Sequence, residues 1–137
     1  TDRDGAAERS REREQFAKLT EKAIKMDIGP FLSGDHEPWM VSIRERLRNK
    51  FLRNVRRLGL YWEQSGELDK AVDCYQKGLE VDDLAEEFYQ CLMKCYQQMG
   101  KRAEALAVYK RCYQILSSVL GIEPSPETEA IKQALKR

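Results

Sequence analysis

Four cysteines and a single histidine are the residues of this chain best suited to metal or nucleophilic chemistry. Cys91 and Cys95 lie four residues apart, so on a helix they share one face, as two metal ligands would. Zinc needs about four ligands, however, and neither a second close cysteine pair nor a histidine accompanies them. Cys74 and Cys112 stand alone in helical segments. We therefore expect buried thiols that act as small hydrophobic side chains, with no metal and no cofactor.

His36 lies between Asp35 and Glu37 in a segment with the composition of a loop. Two neighbouring loop acids do not form an acid and base pair with separated pKa values, so a surface or capping role is predicted for these residues. The sequence has no glycine-rich phosphate loop, nucleophile elbow or zinc protease motif. The chain is therefore not expected to be an enzyme.

Charge is distributed unevenly along the chain. Residues 42–57 contain seven basic residues against one acid, and residues 67–90 contain eight acids against two lysines. On a helix, four of the basic residues fall on one stripe beside the apolar side, namely Arg46, Lys50, Arg53 and Arg57. Such a run is typical of a solvated helix face, and it also suits phosphate or an acidic partner. These four residues, the basic stripe, are the candidate partner surface, and direct DNA contact is a weaker alternative.

The whole-chain composition narrows the class of protein. A length of 137 residues suits one domain, and a net charge of +1 does not favour uniform attraction to nucleic acid or anionic lipid. No apolar run approaches the roughly 20 residues that a membrane helix needs, and no secretory signal pattern is present, so we expect a cytoplasmic protein without membrane contact. Residues 1–13 are polar and predict a flexible segment before a folded domain over 14–137. Because the chain lacks an initiator Met, we expect it to be a piece of a longer polypeptide.

Helical periodicity covers most of the chain, and no segment shows strand alternation, so the predicted class is all-α with about six helices. A first helix is predicted over 16–26. From Trp39 to Trp62, apolar residues recur every three or four positions and predict one long helix with a continuous apolar stripe, which comprises Ile43, Leu47, Phe51, Val55 and Leu58. Further helices are predicted over 68–81, 84–99, 103–120 and 128–136.

Several residues of these segments are expected to be structural. Trp39 and Trp62 are aromatic anchors at the two ends of the long helix. Arg44 falls near its apolar side, so we expect the guanidinium to pair with a carboxylate or backbone carbonyls rather than with a ligand.

The segment LGIEPSPE, residues 120–127, has two interpretations. In the first, Gly121 ends a helix, Ile122 packs against that helix, and Pro124 fixes the exit path of the chain. In the second, the two prolines form an extended segment that a partner recognises. The structural interpretation is preferred.

A period of 34 residues is the most specific pattern in the sequence. Of six paired positions, five are identical and the sixth is aromatic in both copies. The first copy has Leu58, Trp62, Gln64, Gly66, Ala71 and Tyr75, and the second has Leu92, Tyr96, Gln98, Gly100, Ala105 and Tyr109. A helix with a large aromatic residue, a glycine turn, and a second helix with a small alanine allow two backbones to approach closely.

This pattern resembles the tetratricopeptide repeat, with copies at about 53–84 and 86–120, and implies antiparallel helix pairs in a right-handed superhelix. Asp83 stands where that repeat often has proline. Such stacks usually need three or more units. We therefore expect the helix over 16–26 and the first half of the long helix to cover an otherwise exposed face.

The flanking segments make the resemblance more specific. Residues 30–53 (PFLSGDHEPWMVSIRERLRNKFLR) precede the repeats, and LGIEPSPET at 120–128 closes them. Together they are similar to the bacterial transcriptional activator domain, the helical module that follows a winged-helix DNA-binding domain in antibiotic-regulatory-protein-type activators. The resemblance covers about residues 16–136.

This resemblance implies a non-catalytic regulatory domain. It would couple an upstream winged-helix domain to polymerase, to self-association or to a signal. Its partners would be RNA polymerase, its own DNA-binding domain or a second copy of itself. No helix-turn-helix or winged-helix pattern precedes Phe16, so DNA would be bound by an upstream domain absent from this chain. The alternative function is a free-standing tetratricopeptide-repeat adaptor that binds a peptide in its groove.

Overall fold

The computed structural model describes Arg11 and residues 41–137. Within 41–137 the chain forms five α-helices: α1 (Val41–Gln64), α2 (Leu68–Val81), α3 (Glu86–Gln98), α4 (Arg102–Ile115) and α5 (Pro126–Leu135). A π-helical turn, Leu116–Leu120, continues α4. No strand occurs in this part of the chain, and the all-α prediction is confirmed. The predicted segment 1–13 apart from Arg11, the helix over 16–26, the His36 loop and Trp39 lie outside the described residues.

The helices pack in the order expected for stacked pairs. α1 packs against α2, α3 packs against α4, and α2 also contacts α3, which joins the two pairs. α5 contacts both α3 and α4 and so covers the open side of the second pair. A terminal repeat needs such a cover because its outer face would otherwise expose apolar side chains. The pairing is consistent with the predicted tetratricopeptide-like architecture.

The turns that close α1 and α3 are identical in geometry, 34 residues apart. Gly66 has a φ of 77° and Gly100 a φ of 75°, values that favour glycine. The Gly66 N–H donates to the Glu63 carbonyl at 3.1 Å, and the Glu67 N–H donates to the Trp62 carbonyl at 2.8 Å. Equivalent bonds at 3.0 and 2.8 Å close α3. Each turn is a Schellman motif, so the repeated glycines end the first helix of each pair.

The repeated apolar positions form the core. Five of the repeat residues in the two copies are less than 3% exposed, namely Leu58, Ala71, Tyr75, Leu92 and Ala105, and Tyr109 is 8% exposed. Trp62 and Tyr96 are half-buried and pack on the edge of the main cluster. A smaller cluster of Met93, Ala105, Tyr109 and Leu135 lies beneath α5. The 34-residue pattern therefore marks core positions in both pairs.

Two glycines inside helices set the distance between neighbouring backbones. A Cβ on Gly59 would lie 2.3 Å from Cε1 of Tyr75, and one on Gly78 would lie 2.7 Å from Cε2 of Phe88. Both aromatic rings are essentially fully buried, so they have little freedom to retreat. The absence of a side chain at Gly59 lets α2 approach α1, and its absence at Gly78 lets α3 approach α2.

We expect Gly59→Ala to destabilise the domain by about 2 kcal/mol, because overpacking against the Tyr75 ring exceeds the gain in helix propensity. Arg57→Ala is the matched control on an exposed position of the same helix, with an expected change within about 0.5 kcal/mol. Urea unfolding followed by circular dichroism measures both. Equal stability of the two variants would contradict the close approach described here.

Polar contacts replace proline at the turn between the two pairs. The Leu84 N–H donates to Oδ1 of Asp82 at 3.1 Å, and the Tyr89 hydroxyl donates to the carbonyl oxygen of Asp83 at 2.8 Å. The first contact is an aspartate turn, which satisfies a backbone donor between α2 and α3. The chain thus turns at Asp83 without the proline that the repeat often carries.

The structure corrects three details of the predicted elements. The apolar stripe of α1 is buried only from Phe51 onward, and Ile43 and Leu47 are 50% and 45% exposed. The physical reason is length, since the 14 residues of α2 span about 21 Å against about 36 Å for the 24 residues of α1. α4 leaves regular α-geometry at Leu116 and continues as the π turn. Ile122 is 49% exposed, so about half of its side chain surface remains open to solvent and is not packed on the preceding helix.

Candidate functional site

The four residues of the basic stripe lie along one exposed face of α1. Arg46, Lys50, Arg53 and Arg57 are all exposed, and none forms an ion pair with another described residue. Phe51, Val55 and Leu58, which are buried, lie on a different side of the helix. The stripe therefore presents four cationic side chains to solvent without internal neutralisation in the described part of the chain.

A groove of about 660 Å³ runs beside this face. One wall belongs to α1 and includes Arg46 and Arg53, but Lys50 and Arg57 do not line the groove. The lining of both walls comprises Arg46, Asn49, Leu52, Arg53, Arg56, Asp82, Ala85, Glu86 and Glu87. Basic groups on one wall face acidic groups on the other, so the groove suits a segment that carries both signs of charge.

An ion pair that the sequence patterns do not reveal crosses this groove. Arg56 lies beside the basic stripe and donates to the carboxylate of Glu87 on α3. The two side chains are 58% and 44% exposed, so solvent screens the pair and its contribution to stability is small. Arg56 is therefore neutralised, in contrast to the four stripe residues.

Arg44 is positioned differently from the stripe. Its Nη1 atom is buried and has no hydrogen-bond partner among the residues that the structure describes. Within residues 41–137, Nη1 thus lacks the carboxylate or carbonyl partner expected for Arg44. A buried guanidinium nitrogen normally has a partner, because leaving it unpaired is costly.

The LGIEPSPET segment is held against α3 by a hydrogen-bonded cluster around Glu86. Oε2 of Glu86 accepts from the Ser125 N–H at 2.8 Å, from the Ser125 hydroxyl at 2.7 Å, and from the Thr128 hydroxyl. Gln90 donates to the Thr128 hydroxyl at 2.9 Å. Ser125 also caps α5, with Pro126 in its first turn. This Glu86 cluster fixes α5 over the second pair.

Burial supports a structural role for the same segment. Thr128 is 0% exposed, and Pro124 is buried. Gly121 adopts a φ of 65° and ends the π turn. The glycine, the proline and the capping serine therefore redirect the chain from the end of α4 to the start of α5.

The Glu86 cluster has a pH signature. Burial acts to raise the pKa of Glu86, but hydrogen bonds from Thr128 and Ser125 outweigh it and hold the pKa below the ordinary 4.5. A folded-state pKa below the unfolded one contributes stability above about pH 4.5 that is lost as the pH falls through the folded value. We expect Glu86→Gln to reduce the pH dependence of urea unfolding below about pH 4.5. An identical pH profile for Glu86→Gln and the wild type would contradict this cluster.

The cysteines are placed as small core side chains. Cys74, Cys95 and Cys112 are 4%, 0% and 0% exposed, and Cys91 is half-buried. Burial raises the pKa of Cys95 and of Cys112 to about 12 each, and it also raises the pKa of Cys91. Within the described residues no group of three or more potential metal-ligating side chains occurs.

We expect the four thiols to react slowly with a thiol reagent in the native protein, because the thiolate is the reactive form and burial disfavours it. Cys91 is expected to react first, since it is the least buried. Denaturation in urea is expected to make all four react rapidly. Rapid reaction of all four thiols before denaturation would contradict the burial described here.

In the described part of the chain, no helix combines the length and apolar character needed to cross a membrane. The helix pairs, the glycine turns and the exposed charged faces together define a helical-repeat domain of the tetratricopeptide-like class.

Comparison with known proteins identifies the family. The family model of the bacterial transcriptional activator domain matches residues 1–136, and the chain belongs to this family. The regulatory protein AfsR of Streptomyces griseus is 27% identical over 130 residues, a match that covers 90% of this chain and 13% of AfsR. The chain thus corresponds to a small part of the length of that relative. The predicted resemblance is confirmed, and transcriptional regulation is the function that the family indicates.

Proposed function

We propose that residues 14–137 form a non-catalytic interaction domain of a cytoplasmic DNA-binding transcriptional regulator. The domain couples an upstream winged-helix domain to its partners, which are RNA polymerase, the DNA-binding domain itself or a second copy of the chain. The observation that carries this proposal is the membership of the activator-domain family, together with an exposed basic stripe that has no internal ion pairs in the described residues.

The helical fold supports a coupling role. Paired helices joined by Schellman turns form a stiff block, and the Glu86 cluster holds α5 to that block. A stiff block transmits the position of one neighbour to another without internal rearrangement. The block would then contact a partner through the basic stripe, namely Arg46, Lys50, Arg53 and Arg57.

The test is transcription by a regulator that carries this domain behind its DNA-binding domain. A triple reversal, Arg46→Glu, Lys50→Glu and Arg53→Glu, is expected to reduce activated transcription at least about tenfold, the effect of losing roughly 1.4 kcal/mol of contact energy. We expect the upstream domain to bind its operator as before, and the midpoint temperature of thermal unfolding of the helical domain to stay unchanged. The control reverses three exposed lysines elsewhere, Lys94, Lys101 and Lys110, with the same change in net charge.

Full transcription from the folded stripe variant would contradict a partner role for the stripe. Binding of random duplex DNA by the isolated domain, with an affinity that falls steeply with salt and is lost in the stripe variant, would assign the stripe to DNA instead of protein.

A peptide-binding adaptor is the second candidate function, and the mixed-charge groove favours it. Arg53 on one wall and Asp82 on the other would orient a peptide with opposite charges at its two ends. Specific capture of such a peptide from a random library, lost on Arg53→Glu, would favour the adaptor. A native chain joined to a winged-helix domain would favour the regulator.

A further inference from the structure

The outer face of α2 carries an acidic counterpart of the basic stripe. Asp69, Asp73 and Glu80 are exposed and lie on one side of the helix, with Gln76 between them. Their buried neighbours on α2, including Ala71, Cys74 and Gly78, occupy the opposite side. These three acids and Gln76 form the acidic stripe.

The two stripes have the same spacing. The basic stripe advances by four, three and four residues from Arg46 to Arg57, and the acidic stripe advances by four, three and four from Asp69 to Glu80. Each stripe is therefore about 16 Å long on a helix surface. When the two stripes are laid side by side, parallel or antiparallel, opposite charges meet at three of the four positions.

The stripes cannot meet within one chain. α1 and α2 pack through their buried sides, and each stripe lies on an exposed side of its own helix, away from the contact between these two helices. In the described part of the chain, the only ion pair made by a stripe residue is that of Glu80 with Lys77, at 3.7 Å and within α2. Gln76 donates to the Tyr96 hydroxyl of α3 at 3.4 Å. Among the described residues, the charged groups of both stripes other than Glu80 make no ion pair, and all of them are exposed.

We infer that the partner of the basic stripe is the acidic stripe of a second copy of this chain. This inference rests on the proposed function and narrows its partner to the chain itself. Charge complementarity selects this partner, and a net charge of +1 leaves little overall repulsion between copies. One patch meets a different patch, so the contact is heterologous and each copy keeps one stripe available for the next.

Such a contact is weak and sensitive to salt. Exposed ion pairs each contribute little, and screening shortens from about 10 Å at 0.1 M salt to about 3 Å at 1 M. Sedimentation of the 137-residue chain near 0.05 M salt is expected to give a weight-average mass above 16.0 kDa that rises with concentration toward about 100 µM. Raising the salt to about 0.5 M is expected to weaken association at least about tenfold.

Charge exchange provides the decisive variants. We expect two triple variants each to abolish association. One reverses the basic stripe through Arg46→Glu, Lys50→Glu and Arg53→Glu. The other reverses the acidic stripe through Asp69→Lys, Asp73→Lys and Glu80→Lys. The combined six-residue exchange restores the net charge of +1 and brings opposite charges together at two of the four positions, while Arg57 then faces a new lysine. It is therefore expected to restore association in part. Reversal of Lys94, Lys101 and Lys110 controls for the change in net charge.

A monomeric wild-type chain at about 100 µM and low salt would overturn the inference. So would a six-residue exchange that stays monomeric, or single-stripe variants that associate as the wild type does. Because sedimentation uses no DNA or polymerase, these outcomes are separate from the transcription test. A monomeric chain whose stripe is still needed for transcription would refute self-association and leave the proposed function standing.

Discussion

Phe88→Ala is expected to destabilise the domain by about 3 to 5 kcal/mol, the usual cost of removing a fully buried phenylalanine. Phe88 is 0% exposed, and its ring lies directly against the backbone of Gly78 and 5.9 Å from the ring of Tyr75. The side chain thus joins the two helix pairs, because Gly78 and Tyr75 belong to α2 and Phe88 begins the next pair. A loss of this size is a large share of the roughly 5 to 15 kcal/mol that stabilises a domain.

Urea unfolding measures this effect. The control is Tyr113→Ala, which removes an aromatic side chain that is 43% exposed on α4. Its expected cost is below about 1 kcal/mol. Equal losses for the two variants would mean that Phe88 does not join the pairs.

Glu86→Ala is expected to cost about 2 to 3 kcal/mol, because hydrogen bonds to a charged group are stronger than neutral ones and their donors would be left unpaired. The donors that lose their acceptor are the backbone N–H and hydroxyl of Ser125 and the hydroxyl of Thr128, which is fully buried. Detachment of α5 would then expose the smaller core cluster that contains Leu135.

The neighbouring glutamate supplies a matched control. Glu87 forms only the solvent-exposed pair with Arg56 among the described residues, so Glu87→Ala is expected to cost less than about 1 kcal/mol. Thermal unfolding and limited proteolysis near residue 125 distinguish the two variants. A larger loss for Glu87→Ala than for Glu86→Ala would contradict the role assigned to the cluster.

The helix pairs are predictable from sequence because each repeat is a local unit. The residues that define it, from Leu58 to Tyr75 and again from Leu92 to Tyr109, lie within about two turns of each of two helices and the glycine turn between them. Local periodicity and backbone preferences therefore suffice to predict α2 at its observed bounds and α1, α3 and α4 to within a few residues.

Contacts between repeats are not predictable in the same way. Glu86 meets Ser125 and Thr128 across 39 and 42 residues, and Arg56 meets Glu87 across 31. Such pairs depend on how the helices stack, which no single-helix periodicity encodes. Gly59 and Gly78 did carry a signal, since a glycine on the apolar side of a helix marks a close backbone approach.

The candidate surface is likewise predictable from the sequence only in part. The helical wheel is sufficient to place the four basic residues on one side of α1, because their relative positions depend on that helix alone. It does not reveal that Arg46 and Arg53 border a groove while Lys50 and Arg57 do not, since the opposite wall belongs to α3 and the preceding turn.

The proposed regulatory function is tested most directly by determining the native polypeptide in its source cells, by intact mass together with the protein sequence preceding Thr1. We expect a chain longer at its N-terminus by about 100 residues or more, enough for a winged-helix or helix-turn-helix domain. A native chain that begins near Thr1 and copurifies with no DNA-binding subunit would contradict the regulator and favour the peptide-binding adaptor.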